Sequence, residues 1–205
     1  MRTVFKALLG ATSLWLAING IANAESSSDL AKAEEIVANR CFMCHGPQGA
    51  SASPIYPRLA GQHSEYITKQ LHDFKTDKRK SDAMKSQAET LSDAEMKALG
   101  LFFESKPAGK RRTSDPELTA VGHYIFTRGN PFSGVPACAS CHGPKGYGTP
   151  QLPRLAGQHP RYIEDQLKQF NSRERNNDNA VMHTVASKLS ELERHAVAEY
   201  LATLE

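Results

Sequence analysis

CFMCHGPQG runs from Cys41 to Gly49, and CASCHGPKG runs from Cys138 to Gly146. Each stretch has two cysteines three apart, then a histidine, then Gly-Pro, and together they account for all 4 cysteines of the 205-residue chain. The repetition extends beyond them. PRLAGQHSEYITKQLHDF (Pro57 to Phe74) matches PRLAGQHPRYIEDQLKQF (Pro153 to Phe170) in register, and LSDAEMKALGLFF (Leu91 to Phe103) answers LSELERHAVAEYL (Leu189 to Leu201). A period of nearly half the chain is far too long for a solenoid. It marks two copies of one small domain.

No segment sustains period-two alternation, so the expected fold class is all-α. A first helix is predicted from Asp29 to about Asn39, with Leu30, Ala33 and Val37 on one face; its counterpart runs from Pro116 to about Thr127. The middle helix places Ile67, Leu71 and Phe74 at i, i+4 and i+7, and starts at Ser64 in one copy and Pro160 in the other. The last helices open with capping boxes, Ser92 with Glu95 and Ser190 with Glu193. Between the copies, ESKPAGKRRTSDP (Glu104 to Pro116) has the composition of a linker. Copy two inserts about eight residues, near NPFSGVPA (Asn130 to Ala137), before its cysteines.

The N-terminus reads as a secretory signal peptide over residues 1–24. Arg2 and Lys6 form its basic end, Ala7 to Ile21 is mostly apolar, and Ala22-Asn23-Ala24 offers a small-residue cleavage site. The apolar run is broken by Gly10, Thr12, Ser13, Asn19 and Gly20 and falls short of the roughly 20 residues that span a bilayer. The expected organisation is then an N-terminal domain over 25–105, a linker over 106–115 and a C-terminal domain over 116–205. The chain has 25 Lys and Arg against 22 Asp and Glu. Loss of Arg2 and Lys6 brings it near neutrality, so nothing suggests a nucleic-acid partner.

In an exported protein, C-x-x-C-H reads as covalent attachment of a c-type haem. One helical turn lets both thiols reach the vinyl groups on one porphyrin edge, and the histidine then faces the iron. A disulfide between cysteines this close constrains the unfolded chain little. Zinc would want a fourth ligand close by, and a thioredoxin-like pair would want an α/β pattern. Each copy is also small and poor in large apolar side chains, and a porphyrin supplies apolar surface to bury. Cys41 and Cys44 with His45, and Cys138 and Cys141 with His142, are the expected attachment and proximal residues of two haem c groups.

For the opposite face of each iron, Met84 and Met182 are the expected ligands. They lie at equivalent repeat positions and are expected in polar loops, KTDKRKSDAM and SRERNNDNAVM, where an apolar side chain has little local reason to be. Met43 is trapped inside the CxxCH turn, and Met96 reads as core beside Leu99 and Phe103. His63 and His159 also repeat and leave a bis-histidine alternative open; His183 has no repeat partner and reads as a surface residue. Pro57 and Pro153, 12 and 11 residues after the CxxCH histidines, resemble the proline of class I cytochromes c whose carbonyl orients the ligating imidazole, with a rigid turn before LAGQ as the other reading.

Taken together, the two CxxCH sites, the repeated PRLAGQH, the repeated methionines and the signal peptide resemble the diheme cytochrome c4 family over essentially the whole mature chain. The resemblance implies two tandem class I cytochrome c domains related by pseudo-twofold symmetry. It also implies a periplasmic electron carrier, not an enzyme, that takes electrons from a redox protein donor and feeds a terminal oxidase. Loose attachment to the inner membrane is known in that family. A diheme peroxidase, a haem-based gas sensor and a cytochrome subunit of a dehydrogenase are the rival readings. Two basic clusters, Lys75, Lys78, Arg79, Lys80 and Lys106, Lys110, Arg111, Arg112, are expected to be solvated, with docking to an acidic partner as the alternative.

Overall fold

The computed structural model describes residues 28–110 and 115–205. The stretch expected to be a signal peptide (1–24), Arg111 and Arg112 lie outside the described residues.

In the first copy, α1 (residues 28–36) runs without a break through a π turn (Val37–Cys41) into α2 (Phe42–His45). Then follow α3 (Ser64–Lys75), α4 (Asp82–Ala88) and α5 (Asp93–Glu104). The second copy repeats the order with α6 (Pro116–Arg128), α7 (Ala139–His142), α8 (Pro160–Ser172), α9 (Val181–Ala186) and α10 (Glu191–Thr203). There is no strand among the described residues, only an isolated bridge between Asn130 and Val135.

Each copy closes its own core. In the first, Ala33, Ile36, Val37, Ile67, Met96 and Phe103 are buried together; in the second, Ile125, Phe126, Ile163, Phe170, Val197 and Leu201 are. The middle-helix stripe is the reason α3 and α8 lie flat on these cores: Ile67, Phe74, Ile163, Leu167 and Phe170 are all buried, each contributing roughly 1.5–3 kcal/mol. Helices α3 and α5 pack together, as do α6 and α10. The α6–α10 crossing is tight because Gly122 has no side chain, and a Cβ there would stand 1.9 Å from the Ala196 carbonyl oxygen. Both capping boxes form, with Ser92 and Ser190 accepting from the Glu95 and Glu193 amides.

The copies differ where they enter the CxxCH turn. In the first, the predicted stop near Asn39 is too early: the helix widens by one π turn, in which the Phe42 amide bonds to the Val37 carbonyl, and continues through the cysteines. In the second, Gly129 takes φ 72° and ends α6. The insertion then folds into a small hairpin in which Asn130 and Val135 exchange backbone bonds of 2.8 and 2.9 Å. Asn130 Nδ2 donates to Glu193 at 2.7 Å, and Lys188 Nζ donates to the Gly134 carbonyl at 3.1 Å. These bonds fix the base of the hairpin while its tip residue, Phe132, stays 99% exposed.

The two domains meet through their PRLAGQ segments, and the contact repeats itself about a pseudo-twofold axis. Gln62 clasps the backbone of Arg154, and Gln158 clasps that of Arg58. Both glutamines are buried.

Candidate functional site

Cys41 and Cys44 lie on one continuous helical stretch, and Cys138 caps the turn that holds Cys141. In each pair the first thiol is half-buried and the second exposed, and none of the four is in a disulfide. Burial pushes the Cys138 thiol up to about 11 and raises that of Cys41, where Arg40 opposes the rise. Among the described residues no group of three or more His, Cys, Asp or Glu is arranged to hold a metal ion.

The CxxCH histidines are buried and held in a single orientation. His45 Nδ1 donates to the Pro57 carbonyl at 2.9 Å, and His142 Nδ1 donates to the Pro153 carbonyl at 3.3 Å. Burial lowers the pKa of both imidazoles, against a smaller opposing effect of the proline carbonyls. A neutral imidazole with its Nδ1 proton committed has Nε2 free to coordinate iron. The donor set therefore fits haem c.

Met84 and Met182 sit differently from the sequence expectation. Neither lies in a loop: Met84 is in α4, where the Ser81 hydroxyl accepts from its amide at 3.3 Å, and Met182 is in α9, where Asp178 accepts from its amide at 2.5 Å. Both are half-buried, and Met182 packs against the second core. Met43 is 76% exposed and Met96 fully buried, in line with their sequence readings.

His63 and His159 are engaged elsewhere. His63 Nε2 donates to the Tyr147 carbonyl at 2.7 Å and His159 Nε2 donates to the Ser51 carbonyl at 2.8 Å, each reaching into the opposite domain. His183 is more than a surface residue, since its Nδ1 donates to the Phe170 carbonyl and its Nε2 accepts from Arg173. The basic clusters are not uniform solvated runs either. Arg79 is buried at the domain contact, Lys75 donates to the Leu91 carbonyl, Lys106 lies 3.9 Å from the Phe102 ring centroid, and Lys110 pairs with Glu205. In the first cluster Lys75, Lys78 and Lys80 are exposed as expected, and Arg79 alone is buried.

The cytochrome c family profile matches this chain twice, over residues 30–128 and 126–205. Cytochrome c4 of Thiocapsa roseopersicina is 44% identical over 168 residues, spanning 80% of this chain and 86% of that protein. This chain belongs to the cytochrome c4 family. The crystal structure of reduced recombinant cytochrome c4 from Pseudomonas stutzeri superposes with a TM-score of 0.78 at 34% identity, covering 85% of this chain and 98% of that one. A thiosulfate dehydrogenase electron acceptor of Thiomonas intermedia is 36% identical over 170 residues, 80% of this chain and 78% of that protein. As a cytochrome c4 family member the chain is a diheme c-type cytochrome with two covalently bound haem c groups and the role of an electron carrier.

Proposed function

We propose that Cys41 and Cys44 bind the first haem covalently with His45 and Met84 as axial ligands, and that Cys138 and Cys141 bind the second with His142 and Met182. The organisation proposed is a cleaved signal peptide over 1–24, domains over 25–105 and 116–205, and a linker over 106–115. The observation that carries the ligand assignment is the matched pair of imidazoles. Both have Nδ1 tied to a proline carbonyl, and His63 and His159 are committed to the opposite domain. Haem c would supply reversible one-electron chemistry, with His45, Met84, His142 and Met182 as the residues that would hold its iron. The chain's part is to hold two such centres side by side, keep each imidazole neutral and oriented, and exclude water from the core beneath it.

The protein works in the periplasm, taking electrons from a redox protein and passing them to a terminal oxidase. A dehydrogenase as the donor is favoured by the likeness to a protein named as a thiosulfate dehydrogenase electron acceptor. Optical spectra of the exported protein test the ligands. A ferric far-red band of methionine-to-iron charge transfer that loses half its intensity in Met84→Leu and half in Met182→Leu is expected. An unchanged band in either variant, or ready carbon monoxide binding to one ferrous haem of the unaltered protein, would overturn the assignment. Reduced protein mixed with oxidase-containing membranes, and oxidised protein mixed with thiosulfate dehydrogenase and thiosulfate, test the two ends of the route.

A further inference from the structure

We infer that Arg79 and Arg175 tether each domain's methionine segment to the opposite domain, so that methionine coordination at one haem depends on residues of the other domain. The inference rests on Met84 and Met182 as iron ligands.

Both arginines are buried, and each guanidinium reaches across the domain contact. Arg79 donates to Gln70 in its own domain at 2.7 Å, then to the Tyr162 hydroxyl at 3.0 Å and Gln166 at 2.8 Å in the second. Arg175 mirrors it, donating to Gln166 at 2.7 Å, the Tyr66 hydroxyl at 2.9 Å and Gln70 at 3.2 Å. Each also stacks on a core aromatic of its own domain, Arg79 at 4.6 Å from Phe74 and Arg175 at 4.5 Å from Phe170. A guanidinium is planar and always charged, and its donors form a fixed fork. Withdrawn from water, it holds its partners in one geometry, because a lost partner leaves a buried charged donor unsatisfied.

The chain between anchor and methionine is short. Met84 follows Arg79 by five residues and Met182 follows Arg175 by seven. Each end of the segment is fixed: the Arg79 amide donates to the Asp73 carbonyl and the Arg175 amide to the Gln169 carbonyl, while Ser81 and Asp178 cap the methionine amides. Little slack remains for the methionine to move unless the arginine moves too.

The two tethers are unequal. Next to Arg175, Asn177 donates to Gln70 at 3.1 Å and to Asp73 at 2.6 Å, and its carbonyl accepts from Lys69 at 2.9 Å. Among the described residues, those beside Arg79 make no matching set of bonds into the second domain. The second haem's methionine is therefore the more dependent of the two.

Tyr66→Phe in the holoprotein is the test, since it deletes one hydroxyl of the first domain and touches no covalent or ligand residue. Proton NMR of the ferrous protein resolves the two iron-bound methionine methyls, assigned with Met84→Leu and Met182→Leu. The ferric far-red band, followed against temperature, gives the equilibrium for methionine release. Tyr66→Phe is expected to raise release of Met182 about tenfold, the effect of one hydrogen bond to a buried charge, with Met84 unmoved. Tyr162→Phe is expected to act on Met84 with a smaller effect. Methionine signals that ignore both variants, or that respond in the altered domain alone, would overturn the inference while leaving the ligands in place. Absence of methionine signals in the unaltered protein would instead remove the ligand assignment on which it rests.

Discussion

Gln62 and Arg154 lock two domains together with a pair of bonds borrowed from the backbone. The Gln62 side-chain oxygen accepts from the Arg154 amide at 2.8 Å, and its nitrogen donates to the Arg154 carbonyl at 2.9 Å. Gln158 treats Arg58 in the same way, at 2.8 and 2.9 Å. A primary amide carries one donor and one acceptor set side by side, so it can satisfy both main-chain groups of one residue.

Gln62→Ala should therefore strand a buried donor and a buried acceptor at once. At about 1–3 kcal/mol for each, a loss of roughly 2–6 kcal/mol is expected at the domain contact. Calorimetry of the holoprotein should show a single unfolding transition split into two. A variant that still unfolds in one step at an unchanged temperature would show that the contact carries no such weight.

Gly122→Ala should be among the most damaging single-methyl changes in the second domain. Its Cβ would meet main-chain atoms of α10 rather than a movable side chain, with Ala196 oxygen at 1.9 Å and its carbonyl carbon at 2.5 Å. Helices α6 and α10 must separate, at a cost of about 3 kcal/mol or more. Chemical denaturation followed at the second domain's haem reads this directly. A shift below about 1 kcal/mol would mean that the crossing relaxes easily.

The caps give a pH dependence with a definite sign. The Ser92 amide and hydroxyl hold the Glu95 carboxyl below the usual carboxylate range, against a smaller effect of burial. A depressed folded-state pKa means that the stabilisation is complete above the unfolded value of about 4.3 and is lost as pH falls through the lower folded value. Ser92→Ala should cost about 1 kcal/mol at neutral pH. The gap between Ser92→Ala and the unaltered protein should narrow in acid, and a gap that widens there would contradict the sign.

Changing Cys41 and Cys44 to Ser should leave one covalent haem per chain, counted by intact mass and by the pyridine haemochrome. The first domain should lose helicity while α6 to α10 stay folded on their own core, because the two cores share no residue. Equal loss of structure in both halves would show that the second domain cannot stand without the first.

What could be read before the structure was local. Cys41 to His45 and Cys138 to His142 declare themselves by spacing, Ser92 and Ser190 by the glutamate three residues on, and Ile67 and Phe74 by helical period. What escaped was set at a distance. Arg79 sits between Lys78 and Lys80 and looks like one more solvated charge, yet it is buried at the domain contact because Tyr162 and Gln166 lie far along the chain. The stretches before Met84 and Met182 are polar enough to read as loops. Each nonetheless leads into a short helix, held by an oxygen of Ser81 or Asp178 that no apolar period announces. The choice between methionine and His63 or His159 likewise stayed open, because the carbonyls of Tyr147 and Ser51 that occupy those histidines belong to the opposite domain.

The hairpin at Asn130 to Ala137 gives the molecule a handedness of use. Inside, where the halves touch, the glutamine clasps are written twice, and Asn177 adds its bonds on one side alone. Outside, the second domain lifts Phe132 clear of the surface, 99% exposed, a few residues before its cysteines. The insertion thus marks one end of the molecule, where the first copy runs as continuous helix into its cysteines instead.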